Sequence, residues 1–122
     1  GRSDFPNQIN NSLGFPGIFR GTLDVFARTI TDEMAIAAAE AIAQTAEEKG
    51  LHEEYIVPTM AEWEVFINEA VAVAKKAIEQ GVARRILSED ELRAQAERMI
   101  RYAREETEIL MREGHIKPPP EV

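Results

Sequence analysis

The sequence contains no cysteine and no long apolar run. The absence of cysteine excludes disulfides, thiolate metal sites and a cysteine nucleophile. No stretch approaches the roughly 20 apolar residues that a membrane-spanning helix needs, and residues 1–20 lack the basic-then-apolar order of a signal peptide. We therefore expect a cytoplasmic protein that has no membrane partner.

Positive charge is also scarce. The chain has 14 Lys and Arg against 22 Asp and Glu, which gives a formal net charge of -8 at pH 7. Because binding to nucleic acid phosphates needs clustered basic residues, we expect no nucleic acid partner. A length of 122 residues with 44% hydrophobic and 30% charged residues is typical of one globular domain.

The sequence shows no alternation of predicted strands and helices of the kind that builds a parallel sheet. Helix start and stop signals predominate instead, and they predict four helices. The predicted helices run from Asn10 or Asn11 to Ala27 or Arg28, from Thr31 to near Gly50, from a Thr59–Glu62 capping box to Gly81, and from a Ser88–Glu91 capping box to about Glu113.

The first predicted helix carries Gly14, Gly17 and Gly21 on one face. Each glycine costs about 1 kcal/mol of helix propensity relative to alanine, so this face is expected to allow close backbone approach to a neighbouring element or ligand. Burial elsewhere around the helix is assigned to its larger apolar side chains, namely Leu13, Phe15, Ile18, Phe19 and Leu23.

The third and fourth predicted helices differ in their apolar faces. The third is apolar over a wide arc, which indicates contact from more than one side. The fourth has a thin apolar stripe with charged flanks, which is typical of an arm that lies across another helix or subunit. Residues 117–122 contain three consecutive prolines, so they cannot be helical and are predicted to form an extended or mobile tail.

Asn10 and Asn11 stand where the first helix is predicted to begin. An asparagine at this position accepts a bond from an orphan backbone N–H and keeps its own NH₂ group free to donate to a carboxylate or an amide. On composition alone, a purely structural capping role is favoured over ligand binding. His52 and His115 are isolated, so no metal ligand is assigned, and GFPGIFRG lacks the strand and spacing of a dinucleotide fingerprint.

The sequence resembles the malic enzymes, which are metal- and NAD(P)-dependent oxidative decarboxylases of malate, in their archaeal and bacterial form. The resemblance covers roughly residues 1–85 and is specific in its motifs. It runs through GRSDFPNQINN, LGFPGIFRGTLDV and TITDEMAIAAAEAIA, and more loosely through YIVP and VFINEAVAVAKKAIEQGVAR.

This resemblance implies a fold and a role. The chain is expected to be mostly α: the helical C-terminal part of an α/β, Rossmann-like NAD(P)-binding domain (1–86), followed by a helical arm (87–114) and a Pro-rich tail (115–122). By similarity, Asn10 binds the carboxylate of malate or pyruvate, and Asn11 lies near the nicotinamide of NAD or NADP. The catalytic lysine and tyrosine and the ligands of Mg²⁺ or Mn²⁺ belong to an upstream part of the enzyme, so the chain alone is expected to be inactive.

The expected partners are the missing N-terminal part of the same enzyme and further copies of the chain in a homo-oligomer. A different function also stays open from the residues alone. The glycine face and the thin stripe of the fourth helix leave apolar surface that a small monomer has difficulty covering. A helical oligomerisation or protein-interaction module without catalysis is therefore the alternative hypothesis.

Overall fold

The computed structural model describes Asp4 and residues 7–120, and residues 1–3, 5–6 and 121–122 lie outside the described part. Within that part no strand occurs, and only an isolated bridge joins His52 and Tyr55. The prediction of a mostly helical chain is confirmed. The elements are a 3-10 turn (Asn11–Leu13), α1 (Gly14–Asp24), α2 (Asp32–Lys49), α3 (Glu64–Glu79) and α4 (Glu89–Arg112).

Helix α3 lies at the centre of the fold and packs against α1, α2 and α4. Its apolar residues are buried on several sides, as the wide apolar arc predicts. The largest cluster of buried residues joins α3 to α2, to α4 and to the residue that follows α1, and it comprises Val25, Met34, Ala38, Val71, Val73, Ala74, Ala77 and Leu92.

The glycine face of α1 lies directly on α3. A Cβ at Gly17 would stand 2.2 Å from Oε2 of Glu69, and a Cβ at Gly21 would stand 2.4 Å from the carbonyl oxygen of Ala70. Only glycine permits this approach, so the predicted close contact is confirmed and its partner is a helix of the same chain.

The predicted burial around the rest of α1 is largely wrong. Leu13 is buried and Ile18 is half-buried against the largest core cluster, but Phe15, Phe19 and Leu23 are about half exposed, at 49%, 53% and 58%. The physical reason is that α1 turns its glycines toward α3, which leaves the larger side chains on the opposite face.

The first helix is also shorter than the predicted span to Ala27 or Arg28. It ends at Asp24, and Phe26 adopts a left-handed backbone with φ of 49°. Asp24 is buried, accepts a hydrogen bond from Nε2 of Gln95 at 2.8 Å and pairs with Arg20 at 2.6 Å. The bond from Gln95 ties the end of α1 to α4.

The ends of α2 and α4 are as predicted. The Thr31 hydroxyl accepts a bond from the Met34 N–H at 3.2 Å, and Gly50 ends α2 with φ of 97°. Ser88 and Glu91 form a complete capping box at the start of α4. Each cap satisfies backbone N–H groups that the first turn of a helix leaves unpaired.

The predicted capping box at Thr59 and Glu62 is only half formed. The Glu62 carboxylate accepts a bond from the Thr59 N–H at 2.6 Å, but the Glu62 N–H donates to the Thr59 carbonyl at 3.0 Å rather than to its hydroxyl. The pair closes a turn, and α3 begins later, at Glu64. The start predicted for this helix is therefore wrong.

Helix α4 changes character along its length. Leu92 and Ala96 are buried near its start, whereas every residue from 101 to 110 is exposed. Residues 115–120 are non-helical and exposed, as predicted for this part of the tail. No helix in the described ranges is long and apolar enough to cross a membrane.

Candidate functional site

Asn10 and Asn11 lie at the entry to the first helical turn. Asn10 is the N-cap of the 3-10 turn, and its carbonyl oxygen accepts a bond from the Leu13 N–H at 3.3 Å. Its side chain makes no capping hydrogen bond, so the prediction that the carboxamide caps the helix is wrong. Both side chains are exposed. Capping therefore does not account for the side chain of Asn10.

Beside Asn10 is a small recess of about 160 Å³. One wall is the segment that carries Gln8, Asn10 and Leu13, and the other is the loop that carries Val57 and Pro58. The structure thus brings Gln8 and Asn10 together at one cavity, whereas Asn11 is not among its lining residues. The recess thus places carboxamide groups opposite an apolar wall.

A hydrogen bond holds the two walls together. Nδ2 of Asn7 donates to the carbonyl oxygen of Glu54 at 2.9 Å, which ties the first segment to the loop after α2. The sequence gives no signal for this contact, because Asn7 and Glu54 belong to different segments.

The loop wall is fixed by the carboxylate of Glu62. This group accepts bonds from Nζ of Lys49 at 2.7 Å, from the Tyr55 hydroxyl at 2.9 Å and from the Thr59 N–H at 2.6 Å. Burial raises the pKa of Glu62, but hydrogen bonds from Lys49, Thr59 and Tyr55 outweigh it and lower the pKa to about 2. The group is therefore ionised at neutral pH and holds the loop in place.

A second carboxylate, Glu69, lies behind the glycine face and was assigned no role from the sequence. Its side chain is fully buried, and neither oxygen has a hydrogen-bond partner of normal geometry. Burial raises the pKa of Glu69 to about 8, although the nearby Gly17 and Ile18 N–H groups favour the charged form. The only sequence signal is one acidic residue within the apolar run VFINEAVAV.

The glycines of GFPGIFRG do not form a phosphate loop. Gly17 and Gly21 lie within α1 and contact α3, which agrees with the interpretation of this motif from its spacing. Across Asp4 and residues 7–120, no three His, Asp or Glu side chains come close enough together to hold a metal ion. His52 and His115 are exposed.

Comparisons with a family model and with individual known proteins all point to malic enzymes. A family model described as malic enzyme, NAD binding domain, matches residues 1–78. The bifunctional malic/malolactic enzyme of Bacillus subtilis (strain 168) is 53% identical over 92 residues, which is 75% of this chain and 22% of that protein. The NAD-dependent malic enzyme of Geobacillus stearothermophilus is 53% identical over 85 residues, which is 70% of this chain and 18% of that protein.

A solved structure extends the similarity over nearly the whole chain. The crystal structure of Entamoeba histolytica malic enzyme superposes with a TM-score of 0.92 and 49% sequence identity, over 98% of this chain and 25% of that one. The chain thus spans about a fifth to a quarter of the length of these relatives.

Proposed function

Because this chain belongs to the malic enzyme family, matched through its NAD-binding domain, we propose that it supplies one wall of the active site of an enzyme that oxidatively decarboxylates malate to pyruvate and CO₂. In this proposal residues 1–86 complete a Rossmann-like domain that binds NAD or NADP, residues 87–114 form a helical arm, and residues 115–122 form its tail. The observation that carries the proposal is the recess where Gln8 and Asn10 converge.

Asn10 is proposed to donate its carboxamide N–H to the carboxylate of malate or pyruvate. An amide donor binds and orients a carboxylate without bringing in a charge that would need its own partner. Asn11, one residue further on, is proposed to lie beside the nicotinamide. The small size of the recess suits a small organic acid better than a whole dinucleotide.

The described residues do not offer a set of ligands for Mg²⁺ or Mn²⁺. We therefore assign no metal ligand to them and place the metal and the acid–base groups in another part of the enzyme. Relatives are named both as NAD-dependent and as NADP-dependent, and the choice of dinucleotide is left open in this proposal.

The 122-residue chain alone is expected to produce no NADH or NADPH from malate. It lacks a metal-binding group within its described residues and a dinucleotide fingerprint in its sequence. The measurement is nicotinamide absorbance with malate, either dinucleotide and Mg²⁺ or Mn²⁺, and a full-length malic enzyme serves as the positive control. Turnover by the isolated chain would contradict the proposal that the metal and the acid–base groups belong to another part of the enzyme.

Changing Asn10 to Ala in the full-length enzyme is expected to lower kcat/KM for malate about 10- to 100-fold. This corresponds to the loss of one hydrogen bond to a charged group, worth about 1.5–3 kcal/mol. The measurement is steady-state kinetics with malate as the varied substrate.

The matched control for this experiment is Gln44→Ala, which removes a carboxamide from the exposed face of α2, where it bonds to Glu48. Its kcat/KM should equal that of the parent. If Asn10→Ala retains the full kcat/KM while the enzyme is folded, Asn10 is not part of the malate site.

A non-catalytic interaction module is the second candidate. It is favoured by the exposed apolar face of α1, on which Phe15 and Phe19 stack with ring centroids 6.1 Å apart. A stable homo-oligomer that binds neither malate nor nucleotide would support it. In the malic enzyme proposal the partners are the remainder of the enzyme and a second copy of the chain.

A further inference from the structure

The buried carboxyl of Glu69 lies between α3 and the first turns of α1. Its Oε1 is 3.7 Å from the position that a Cβ of Gly14 would take, and a Cβ at Gly17 would collide with its Oε2. The side chain is fully buried, and neither oxygen has a hydrogen-bond partner of normal geometry. The two helices therefore meet at this point around a carboxyl group that has no bonded partner.

This contact is one helical turn away from the proposed malate site. The Gly14 N–H donates to the carbonyl oxygen of Asn11, and the Leu13 N–H donates to that of Asn10 at 3.3 Å. These bonds join the turn that carries both asparagines to the part of α1 that rests on Glu69. A shift of α1 away from α3 at Gly14 would therefore carry Asn10 with it.

No charged group near this contact compensates a charge on Glu69. Charged groups on the three helices packed against α3 are engaged with other partners, namely Arg20 with Asp24 on α1, Lys49 of α2 with Glu62, and Arg93 of α4 with Asn68. Burial raises the pKa of Glu69 to about 8, and only the N–H groups of Gly17 and Ile18 oppose this effect. The carboxyl is therefore mostly neutral at pH 7.

Loss of the proton from Glu69 would disturb the contact of α1 with α3. Burial of an unpaired carboxylate is far more costly than burial of the neutral group, so the charged side chain must either admit water between the helices or turn outward. Both changes separate the glycine face of α1 from α3. A displacement of about 1 Å in a group that positions a substrate is enough to lower the rate about 100-fold.

We propose that Glu69 is a positioning residue for malate, which in its neutral form holds the start of α1 against α3 and thereby holds Asn10 at the carboxylate of the substrate. Glu69 contacts neither the substrate nor the cofactor in this proposal and acts only through α1. The inference rests on the proposed role of Asn10 in the malate site, whereas that role does not require Glu69.

The test compares the full-length enzyme with its Glu69→Gln variant in steady-state kinetics over a series of pH values. One pH unit above the folded-state pKa of about 8, only about one molecule in ten keeps the proton, so the KM for malate of the parent should be about tenfold that of the variant. One unit below the pKa the two KM values should agree. The kcat at saturating malate should stay equal in both, because bound malate selects the neutral form.

The matched control is Glu79→Gln, which makes the same change at an exposed carboxylate near the other end of α3. Its KM should follow that of the parent at every pH. A second measurement, independent of catalysis, is hydrogen exchange of the backbone amides of residues 11–18, corrected for the intrinsic effect of pH. Exchange should become faster above the pKa in the parent and in Glu79→Gln, but not in Glu69→Gln.

Asn10→Ala separates this inference from the proposed function. In the Asn10→Ala background, Glu69→Gln should no longer change the pH dependence of KM, because no amide remains to be positioned. If Asn10→Ala lowers kcat/KM but the ratio of the parent's KM to that of Glu69→Gln is constant with pH, or if exchange does not respond to pH, the positioning role is overturned and the malate role of Asn10 stands. If Asn10→Ala leaves kcat/KM unchanged, the proposed malate site is overturned and this inference falls with it.

Discussion

Replacing Gly21 with alanine is expected to lower the free energy of unfolding of the chain by about 3 kcal/mol or more. The new Cβ would stand 2.4 Å from the carbonyl oxygen of Ala70 and 2.9 Å from Cβ of Val73. Both atoms belong to the central helix α3, which is packed against α1, α2 and α4. Overpacking usually costs about 1–3 kcal/mol, and a clash with fixed backbone belongs at the upper end or beyond, against a total stability of about 5–15 kcal/mol.

Gly17 and Gly14 provide graded comparisons for this substitution. A Cβ at Gly17 would collide with the side chain of Glu69, whereas a Cβ at Gly14 would meet its nearest neighbour at an ordinary 3.5 Å. We expect Gly17→Ala to be strongly destabilising and only partly rescued by Glu69→Ala, which removes the colliding Cδ and Oε2 atoms but keeps Cβ of residue 69, 2.5 Å from the new methyl group. Gly14→Ala should stay within about 1 kcal/mol of the parent, because the gain in helix propensity meets no clash.

These differences are measured as free energies of unfolding in urea, followed by circular dichroism. If Gly21→Ala is as stable as Gly14→Ala, the close contact of α1 with α3 does not exist as described.

How much of this fold was predictable depends on the distance between the interacting groups along the chain. The starts of α2 and α4 were predicted correctly because each cap is made by neighbouring residues, Thr31 with Met34 and Ser88 with Glu91. The start of α3 was not, because the Glu62 N–H closes a turn on the Thr59 carbonyl oxygen, while the Glu62 carboxylate also binds Lys49 and Tyr55. Local spacing contains no information about these partners.

The orientation of α1 shows the same limit. The sequence displays both a glycine face and a set of large apolar residues, and local rules favour burial of the larger side chains. The structure buries the glycines because α3 presents Glu69 and the Ala70 backbone at that contact. Which face is covered is a property of the pair of helices, so α1 alone could not reveal it.

Only the types of side chain at the candidate site could be predicted from the sequence, and not the recess that they line. The carboxamides of Gln8 and Asn10 are visible in the sequence, but the recess exists because the loop at Val57 and Pro58 meets them. The role of Asn10 as a side-chain cap was wrong, since the turn is closed by its carbonyl oxygen. Glu69 had no assigned role, because its burial against Gly17 appears only when the two helices are assembled.

The buried carboxyl of Glu69 is expected to make the chain less stable as the pH rises. Its folded-state pKa is about 8, above the unfolded value of 4.5. Between these two values the unfolded chain has released this proton while the folded chain still holds it, so the free energy of unfolding falls with increasing pH. The slope from this one group approaches about 1.4 kcal/mol per pH unit and amounts to several kcal/mol across the window.

Changing Glu69 to Gln should remove this slope, because the amide stays neutral at every pH. The variant is expected to match the parent at pH values below the unfolded pKa of 4.5 and to be more stable than the parent near the folded value of about 8. The measurement is the free energy of unfolding in urea at a series of pH values, with parent and variant side by side so that all other titrating groups cancel.

Glu62→Gln is the matched control and should give the opposite sign. The folded-state pKa of Glu62 is lowered to about 2, so its contribution to stability is present above 4.5 and is lost as the pH falls through the folded value. This variant should therefore be less stable than the parent at neutral pH, and the gap should close under acid conditions. If Glu69→Gln runs parallel to the parent from pH 4.5 to about 8, then Glu69 already ionises normally in the fold, and water or a cation must reach the glycine face of α1.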